Sequence, residues 1–377
     1  MRILLLSPHK RNFDTDPVFP QLDQGLRRLG HRVTLLTEED LVGSNTPAIL
    51  KKLVTPLLAK RRALQAAMDS DVVEAAGGLG WSLFSSLRAQ SPTRPRPLLV
   101  TRLHGLEYLD EQARFIEEIA GSIRLSAKYK LLTRRWINWQ EFRSLRLSDC
   151  VVCHTSRDAD GVVTRGLKGE HAVATMPLAT ESRYFRDHAY SQAASRILWW
   201  GSWIERKGIS TVPRALELLT RSVPEVTITM GGTGAPPEVV LSAFPAELRA
   251  RVTVLPFVSR ERHLEILDEH DVFLFPSLSE GFGLALAEAM ASSLPCVTTL
   301  TGLAHDWLEH GRNCLVVPMC SPTGVARAVE RLLSDVKLRG SLGTSARATA
   351  ENWSWDRFAR ETATVYERQL SILRQGS

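Results

Sequence analysis

Val272-Phe273-Leu274-Phe275-Pro276-Ser277-Leu278-Ser279-Glu280-Gly281-Phe282-Gly283-Leu284-Ala285-Leu286-Ala287-Glu288-Ala289-Met290 decides how this chain is read. Val272–Phe275 has no polar alternation, the pattern of a short strand buried on both faces in a parallel sheet. Leu284–Ala291 is built of good helix formers. Strand, glycine-bearing loop and helix in that order make one unit of a parallel α/β fold, in which ligands bind at the carboxyl ends of the strands. Gly281 and Gly283 leave backbone N–H groups unshielded just before the helix, and its N-terminus carries positive partial charge, so a phosphate fits there. Glu280 stands ahead of the helix and Glu288 about a turn and a half inside it. One carboxylate can reach a sugar ring beside the phosphates, the other the ribose hydroxyls of a nucleoside. The plainer alternative is a strand–turn–helix connection with a buried methionine and two surface glutamates. The coincidence of glycines, glutamate spacing and Pro276-Ser277 favours a site.

The same alternation of short apolar runs and amphipathic stretches fills the rest of the chain. The strand candidates of the first half are Ile3–Leu6, Arg32–Leu36, Val72–Glu74, Leu98–Thr101 and Cys150–His154, with a helix at Gln21–Leu29 stopped by Gly30. Those of the second half are Arg196–Trp200, Val226–Met230, Val252–Leu255, Val272–Phe275, Cys296–Thr299 and Leu315–Val317. With 377 residues the chain exceeds the roughly 250–300 that one core organises. Two Rossmann-like domains facing across a cleft are expected: 1–180, then 196–350, with the connection in Pro177–Ser195 and its linker at 181–195. The closing segment is 351–377. A composition 44% hydrophobic and 23% charged excludes a disordered, collagenous or coiled-coil protein. No apolar run reaches the roughly 18–20 residues of a membrane span. The opening Met1–Leu6 is too short for a signal peptide's apolar core. Five cysteines without a dense framework fit a reducing compartment, so a soluble, cytoplasmic protein is expected.

Ser279–Pro295 resembles the signature of the retaining nucleotide-sugar glycosyltransferases of family 4, which have the GT-B fold and two glutamates spaced as Glu280 and Glu288 are. Arg28–Val33 resembles the end of that family's first helix and its second strand. Thr101–Gly105 is similar to its first-domain histidine loop, and Ser148–Val152 to the strand entering the linker. Trp353-Ser354-Trp355 with Tyr366 resembles its closing helix, which crosses back to the first domain. The resemblance implies transfer of a sugar from a nucleoside diphosphate donor to a hydroxyl, with retention of anomeric configuration, in glycan, exopolysaccharide or glycolipid synthesis. Glu280 would position the donor sugar and Glu288 the ribose. His104 would donate a hydrogen bond to the sugar from the other domain. No cofactor is implied beyond the donor substrate itself.

Gly201–Gly208 follows a strand and matches the family's diphosphate loop at Lys207, whose compact charge suits a leaving phosphate. Ser202 stands where the family has arginine; Arg206 is the candidate to replace it. Gly231–Gly234, with Gly232 at its centre, is expected to border the nucleotide, and Phe257-Val258-Ser259 resembles the segment holding the base. Backbone groups of Gly283 and Leu284 complete the phosphate site. With Lys207 and the helix N-terminus carrying the diphosphate charge, no metal is expected. Asp14-Thr15-Asp16, Asp69-Ser70-Asp71 and Asp158-Ala159-Asp160 repeat a metal-binding spacing by chance and are read as solvated or capping residues. Cys150 and Cys153 lack a second ligand pair at zinc spacing and are read as core thiols. Pro8–Phe13 replaces the family's glycine loop after the first strand, Leu178-Ala179 its Asn-Gly pair, and Asp306 a common glutamate. Two alternatives stay open: an epimerase or phosphorylase on the same fold, or a degenerate sugar-nucleotide-binding protein.

Residues 1–180 carry 26 Lys and Arg against 19 Asp and Glu, a charge of +7, whereas 181–377 carry 21 against 22, or −1. Much of that excess lies in Arg124–Arg146, where seven cations meet the single acid Glu141. No Gly or Pro interrupts this segment, so a helix is expected, with Leu125, Tyr129, Leu132, Trp136 and Trp139 on one face. That face is either core, with the cations solvated, or a peripheral contact with an anionic membrane bearing a lipid-linked acceptor. Nucleic acid is not expected, because no reading module accompanies the charge.

Overall fold

The computed structural model describes residues 1–9, 17–42, 48–90, 96–121 and 123–375, with backbone alone at 48–53 and 132–133. Asp14-Thr15-Asp16 and Lys10–Phe13 lie outside the described residues. The chain divides into two units: Met1–Tyr108, Ser126–Leu178 and Trp355–Ser377 form the first, and Leu109–Leu125 with Ala179–Ser354 the second. Residues 181–195 thus cluster with the second unit.

In the first unit β1 (Arg2–Leu6), β2 (Arg32–Leu36), β3 (Val72–Ala76), β4 (Leu98–Arg102), β5 (Cys150–Cys153) and β6 (Val173–Thr175) form a parallel sheet in the order β2-β1-β3-β4-β5-β6. Around it run α1 (Val18–Arg28), α2 (Glu38–Leu41), α3 (Ala48–Met68), α4 (Trp81–Ala89), the start of α5 (Glu107–Ile119), α6 (Arg134–Leu147) and α7 (Ser156–Thr164). Leu4, Leu5 and Leu6 are fully buried, as the unalternated run demands of a strand covered on both faces. Register is tight: Leu5 pairs with Leu35 on one side and Glu74 on the other.

In the second unit β7 (Arg196–Trp200), β8 (Thr227–Gly231), β9 (Val252–Leu255), β10 (Val272–Phe275), β11 (Cys296–Thr298) and β12 (Leu315–Val316) form a second parallel sheet, ordered β12-β11-β10-β7-β8-β9. Its helices are α8 (Thr211–Ser222), α9 (Pro237–Ser242), α10 (Arg260–Glu269), α11 (Leu284–Ala291), α12 (Leu303–Trp307), α13 (Pro322–Ser334) and α14 (Val336–Ala350). The last helix, α15 (Trp355–Gln375), belongs to the first unit. Chain order runs β7, β8, β9 in one direction and then restarts with β10 on the other side of β7. That reversal places the loops after β7 and β10 side by side at the carboxyl edge, the position where such sheets bind ligands.

The strands foreseen from apolar runs are present, with ends moved by a residue or two. A sixth strand in the first unit, β6, was not foreseen, because Val173–Thr175 is only three residues long and half-exposed at the sheet edge. The expected continuous helix over 124–146 is also corrected. Residues 123–126 are not helical, Tyr129–Thr133 is a π-type turn, and α6 proper starts at Arg134. The π-type turn changes the phase of Tyr129 against α6, and within α6 Trp136 is half-buried and Trp139 exposed, so the aromatic stripe is not the core face. Gln140, Glu141, Ser144 and Leu145 are the buried residues of α6 instead.

Candidate functional site

Two loops meet at the reversal of the second sheet. The first leaves β7 and carries Glu205-Arg206-Lys207 in a single 3-10 turn, closed by Gly208 at φ 68°. A Cβ on Gly208 would stand 2.1 Å from the Pro276 carbonyl oxygen, so only glycine lets this turn lie against the loop after β10. The Leu278 N–H donates to the Arg206 carbonyl at 2.7 Å and fastens the two loops together.

Their side chains converge. Lys207 Nζ donates to Glu280 Oε1 at 2.6 Å, and an Arg206 guanidinium N–H donates to Glu280 Oε2 at 3.0 Å. Lys207 also lies 4.9 Å from the centre of the Phe275 ring. Lys207 and Glu280 are both buried. Burial alone would raise the Glu280 carboxyl, but the charges of Lys207 and Arg206 outweigh it and hold Glu280 below the usual carboxylate range. Arg206, the residue considered in place of the missing arginine, therefore brings a second cation to the carboxylate that Lys207 binds. Its Nε also lies 3.5 Å from Asp110 of α5, and Arg114 lies 3.8 Å from Glu205. Asp110 and Arg114 were not foreseen, since they are remote in sequence and carry no motif.

Immediately after Glu280, Gly283 caps α11 in the left-handed region at φ 98°. Glu288 lies one turn into α11, about 6 Å along its axis from Leu284. It belongs to a second cluster with Glu181, Tyr184 and His263. The Tyr184 hydroxyl is 3.2 Å from His263 Nδ1, and His263 Nδ1 is 4.0 Å from Glu288. Burial raises the Glu288 carboxyl to about 8, with Glu181 adding to the rise, and burial pushes His263 down to about 3. Glu181 is itself held by Arg183 and by Arg260, the latter at 2.8 Å.

The His263 ring stacks on Trp200 at 3.8 Å between centres. Trp200 closes β7 and lies against Gly231, where a Cβ would come within 2.2 Å of the indole. Trp200, Tyr184 and His263 were missed by sequence reasoning. Trp200 at the carboxyl end of β7, directly before the Gly201–Gly208 loop, was the available signal. Gly232 has φ 66°, and Val258 is half-buried in the loop between β9 and α10. Phe257 beside it is 86% exposed.

His104 belongs to the first unit, in the loop after β4. It stacks on Phe19 at 5.7 Å and meets His9 and His154 edge-on at 6.5 and 5.9 Å. Burial and the nearby Arg102 charge push His154 well below its ordinary range. The Asp-x-Asp segments within the described residues serve locally. Asp71 accepts from the Arg2 N–H at 2.7 Å, and Asp158 sits in the first turn of α7, capped by Thr155. Cys150 and Cys153 are buried thiols on β5, which burial pushes up, Cys150 to about 12.

Residues 194–335 match the family model described as glycosyl transferases group 1. An uncharacterized glycosyltransferase of Methanocaldococcus jannaschii is 26% identical over 234 residues, 61% of this chain and 60% of that one. A D-inositol 3-phosphate glycosyltransferase of Pseudarthrobacter chlorophenolicus is 29% identical over 221 residues, 57% of this chain and 52% of its own. The chain thus spans little more than half the length of these relatives. Among solved structures, sucrose-phosphate synthase of Thermosynechococcus elongatus superposes with a TM-score of 0.79 at 18% identity, covering 99% of this chain and 100% of the other. The Anabaena protein HepE, solved in complex with UDP and glucose, gives 0.68 at 14% identity over 97% and 99%. The fold is GT-B, as the sequence led one to expect.

Proposed function

We propose that this chain transfers a sugar from a nucleoside diphosphate donor to an acceptor hydroxyl, keeping the anomeric configuration. The observation that carries the reading is the buried Lys207–Glu280 pair at the sheet's reversal, directly before the N-terminus of α11. A cation and a row of backbone N–H groups beside a carboxylate make a place for a diphosphate with a sugar attached. In the reaction the bond between the sugar's anomeric carbon and the diphosphate oxygen breaks, and its electron pair leaves with the diphosphate. The acceptor oxygen bonds to the anomeric carbon on the same face, and its proton passes to the departing phosphate. No protein nucleophile is assigned.

Lys207 and the amides at Gly283-Leu284 meet the charge that grows on the diphosphate, Glu280 orients the donor sugar, and Glu288 holds the ribose. Arg206 supplements Lys207, while Gly232 and Val258 border the nucleotide. His104 keeps the role of hydrogen-bond donor to the sugar. The family match over 194–335 and the glycosyltransferase relatives support the reaction class. The UDP and glucose of the Anabaena protein make uridine donors the first to try. A thermal-shift screen of nucleoside diphosphates and their sugars tests the reading: a ligand at 100 times its dissociation constant stabilises by about 2.7 kcal/mol. No response to any of them overturns it. NMR of the product's anomeric proton then decides between retention and inversion.

A further inference from the structure

A diphosphate at the N-terminus of α11 and a ribose at Glu288 put the base among the neighbours of Glu288. His263 is one of them, its Nδ1 4.0 Å from the carboxylate. The imidazole lies flat on the Trp200 indole, 3.8 Å between centres and 16° from parallel. The Tyr184 hydroxyl, 3.2 Å from His263 Nδ1, meets the same ring at its edge. Trp200 closes β7 and pairs with Gly231 of β8. Backbone bonds fasten the loops around it: the Gly201 N–H donates to the Gly231 carbonyl at 3.0 Å, Trp203 to Thr233 at 2.8 Å, and Gly232 to Leu255 at 2.9 Å. The indole takes the room that side chains at 231 and 232 would need. A Cβ on Gly231 would fall 2.2 Å from its six-membered ring, and one on Gly232 3.2 Å from Nε1. Two polar atoms of the stack are unspent. His263 Nε2 is buried with no partner among the described residues, and none of those residues accepts from the Trp200 indole N–H.

We propose that the Trp200–His263 stack selects a one-ring base, so that the donor is a pyrimidine nucleoside diphosphate sugar. Such selection presupposes the nucleotide site proposed for α11 and Glu288. An indole is two fused rings, the size of a purine, and it fills the space over Gly231 and Gly232 that a second ring of the base would need. Its N–H is a donor only, so it favours a base that presents a carbonyl oxygen, as uracil does and adenine does not. Guanine has a carbonyl but is too large. A base that leaves the N–H covered and unpaired forfeits affinity, which sets the wrong base apart from the right one.

Calorimetric titration of the full chain with UDP, ADP, GDP and inorganic pyrophosphate tests it. The wild type should bind UDP roughly tenfold or more tightly than ADP or GDP. W200V opens the space over the two glycines and should narrow that gap by roughly tenfold, gaining purine affinity and losing UDP affinity. W200F keeps a ring on His263 but lacks the N–H, and should weaken UDP about fivefold, one neutral hydrogen bond, with ADP unchanged. Pyrophosphate, which has no base, should bind all three proteins alike. Thermal unfolding checks that each variant is folded, and where W200V is not, W200F decides alone. Purine nucleotides bound as tightly as UDP by the wild type overturn the proposal, as does a UDP preference that W200V and W200F leave unchanged. In both cases the nucleotide still binds and the transfer reading stands. A matching loss of pyrophosphate makes Trp200 a support of the diphosphate loop and overturns the proposal too. Failure of every nucleotide to bind the wild type removes both readings.

Discussion

Burial, with Glu181 adding to it, raises the Glu288 carboxyl to about 8. Between its ordinary range near 4.5 and about 8, the folded chain keeps a proton that the unfolded chain has released. The stability this group contributes is therefore full below the lower value and lost as pH rises through the upper one. Urea midpoints taken below and above that window should fall for the wild type and fall less for E288Q, which cannot ionise. The neutral amide should also keep most of the nucleotide affinity, whereas E288A should lose roughly tenfold or more. Equal affinity of E288A and wild type, by calorimetric titration, removes Glu288 from the ribose site. Lys207 answers to a different measurement. K207A should depress turnover more than donor binding, since its charge matters most as the diphosphate leaves. A matching loss in both makes it a binding residue only. Lys207 and Glu280 were legible because each stands in a glycine-bearing loop directly after an apolar run. Tyr184 and His263 were not, since their contact joins residues 79 apart and neither carries a motif.

At the scale of elements, α15 is tied to the first sheet by a charged network in the core. Arg102 of β4 and Glu74 of β3 are fully buried and joined at 2.6 Å. The Tyr366 hydroxyl donates to the other Glu74 oxygen at 2.6 Å, and Arg102 donates to the Thr362 hydroxyl at 3.3 Å. Removing one partner of such a pair strands a buried charge. R102M should cost about 3–5 kcal/mol by urea unfolding, and Y366F about 1 kcal/mol. A loss under about 1 kcal/mol for R102M means the pair is not what fixes α15. The sequence shows Tyr366 on a closing helix but not its partners: Glu74 ends the strand candidate Val72–Glu74 and Arg102 falls just beyond Leu98–Thr101, and nothing in either run marks a buried ion pair. The π-type turn at Tyr129–Thr133 was equally hidden: no glycine or proline marks it, and a widened turn leaves the helical pattern almost unchanged.

For the whole molecule, two sheets with separate cores predict two unfolding events. If the nucleotide site belongs to the second unit alone, saturating nucleotide should raise one calorimetric transition by roughly 5–10 °C and leave the other in place. A uniform shift of both refutes that assignment. The doubling of the fold was legible from the chain length and the eleven apolar runs, and the return of the closing helix to the first unit from its resemblance at Trp353–Trp355 and Tyr366; the grouping of Leu109–Leu125 with the second unit was not, because no motif marks that segment. That division bears on how the protein is made. Glu74 leaves the ribosome 292 residues before the Tyr366 hydroxyl that completes its shell. At roughly 5–20 residues per second, the wait is about 15–60 s. The first unit, begun first, stands unfinished throughout it, and the second, complete at Ser354, is whole before α15 is made, so the nascent protein finishes its second unit before its amino-terminal one.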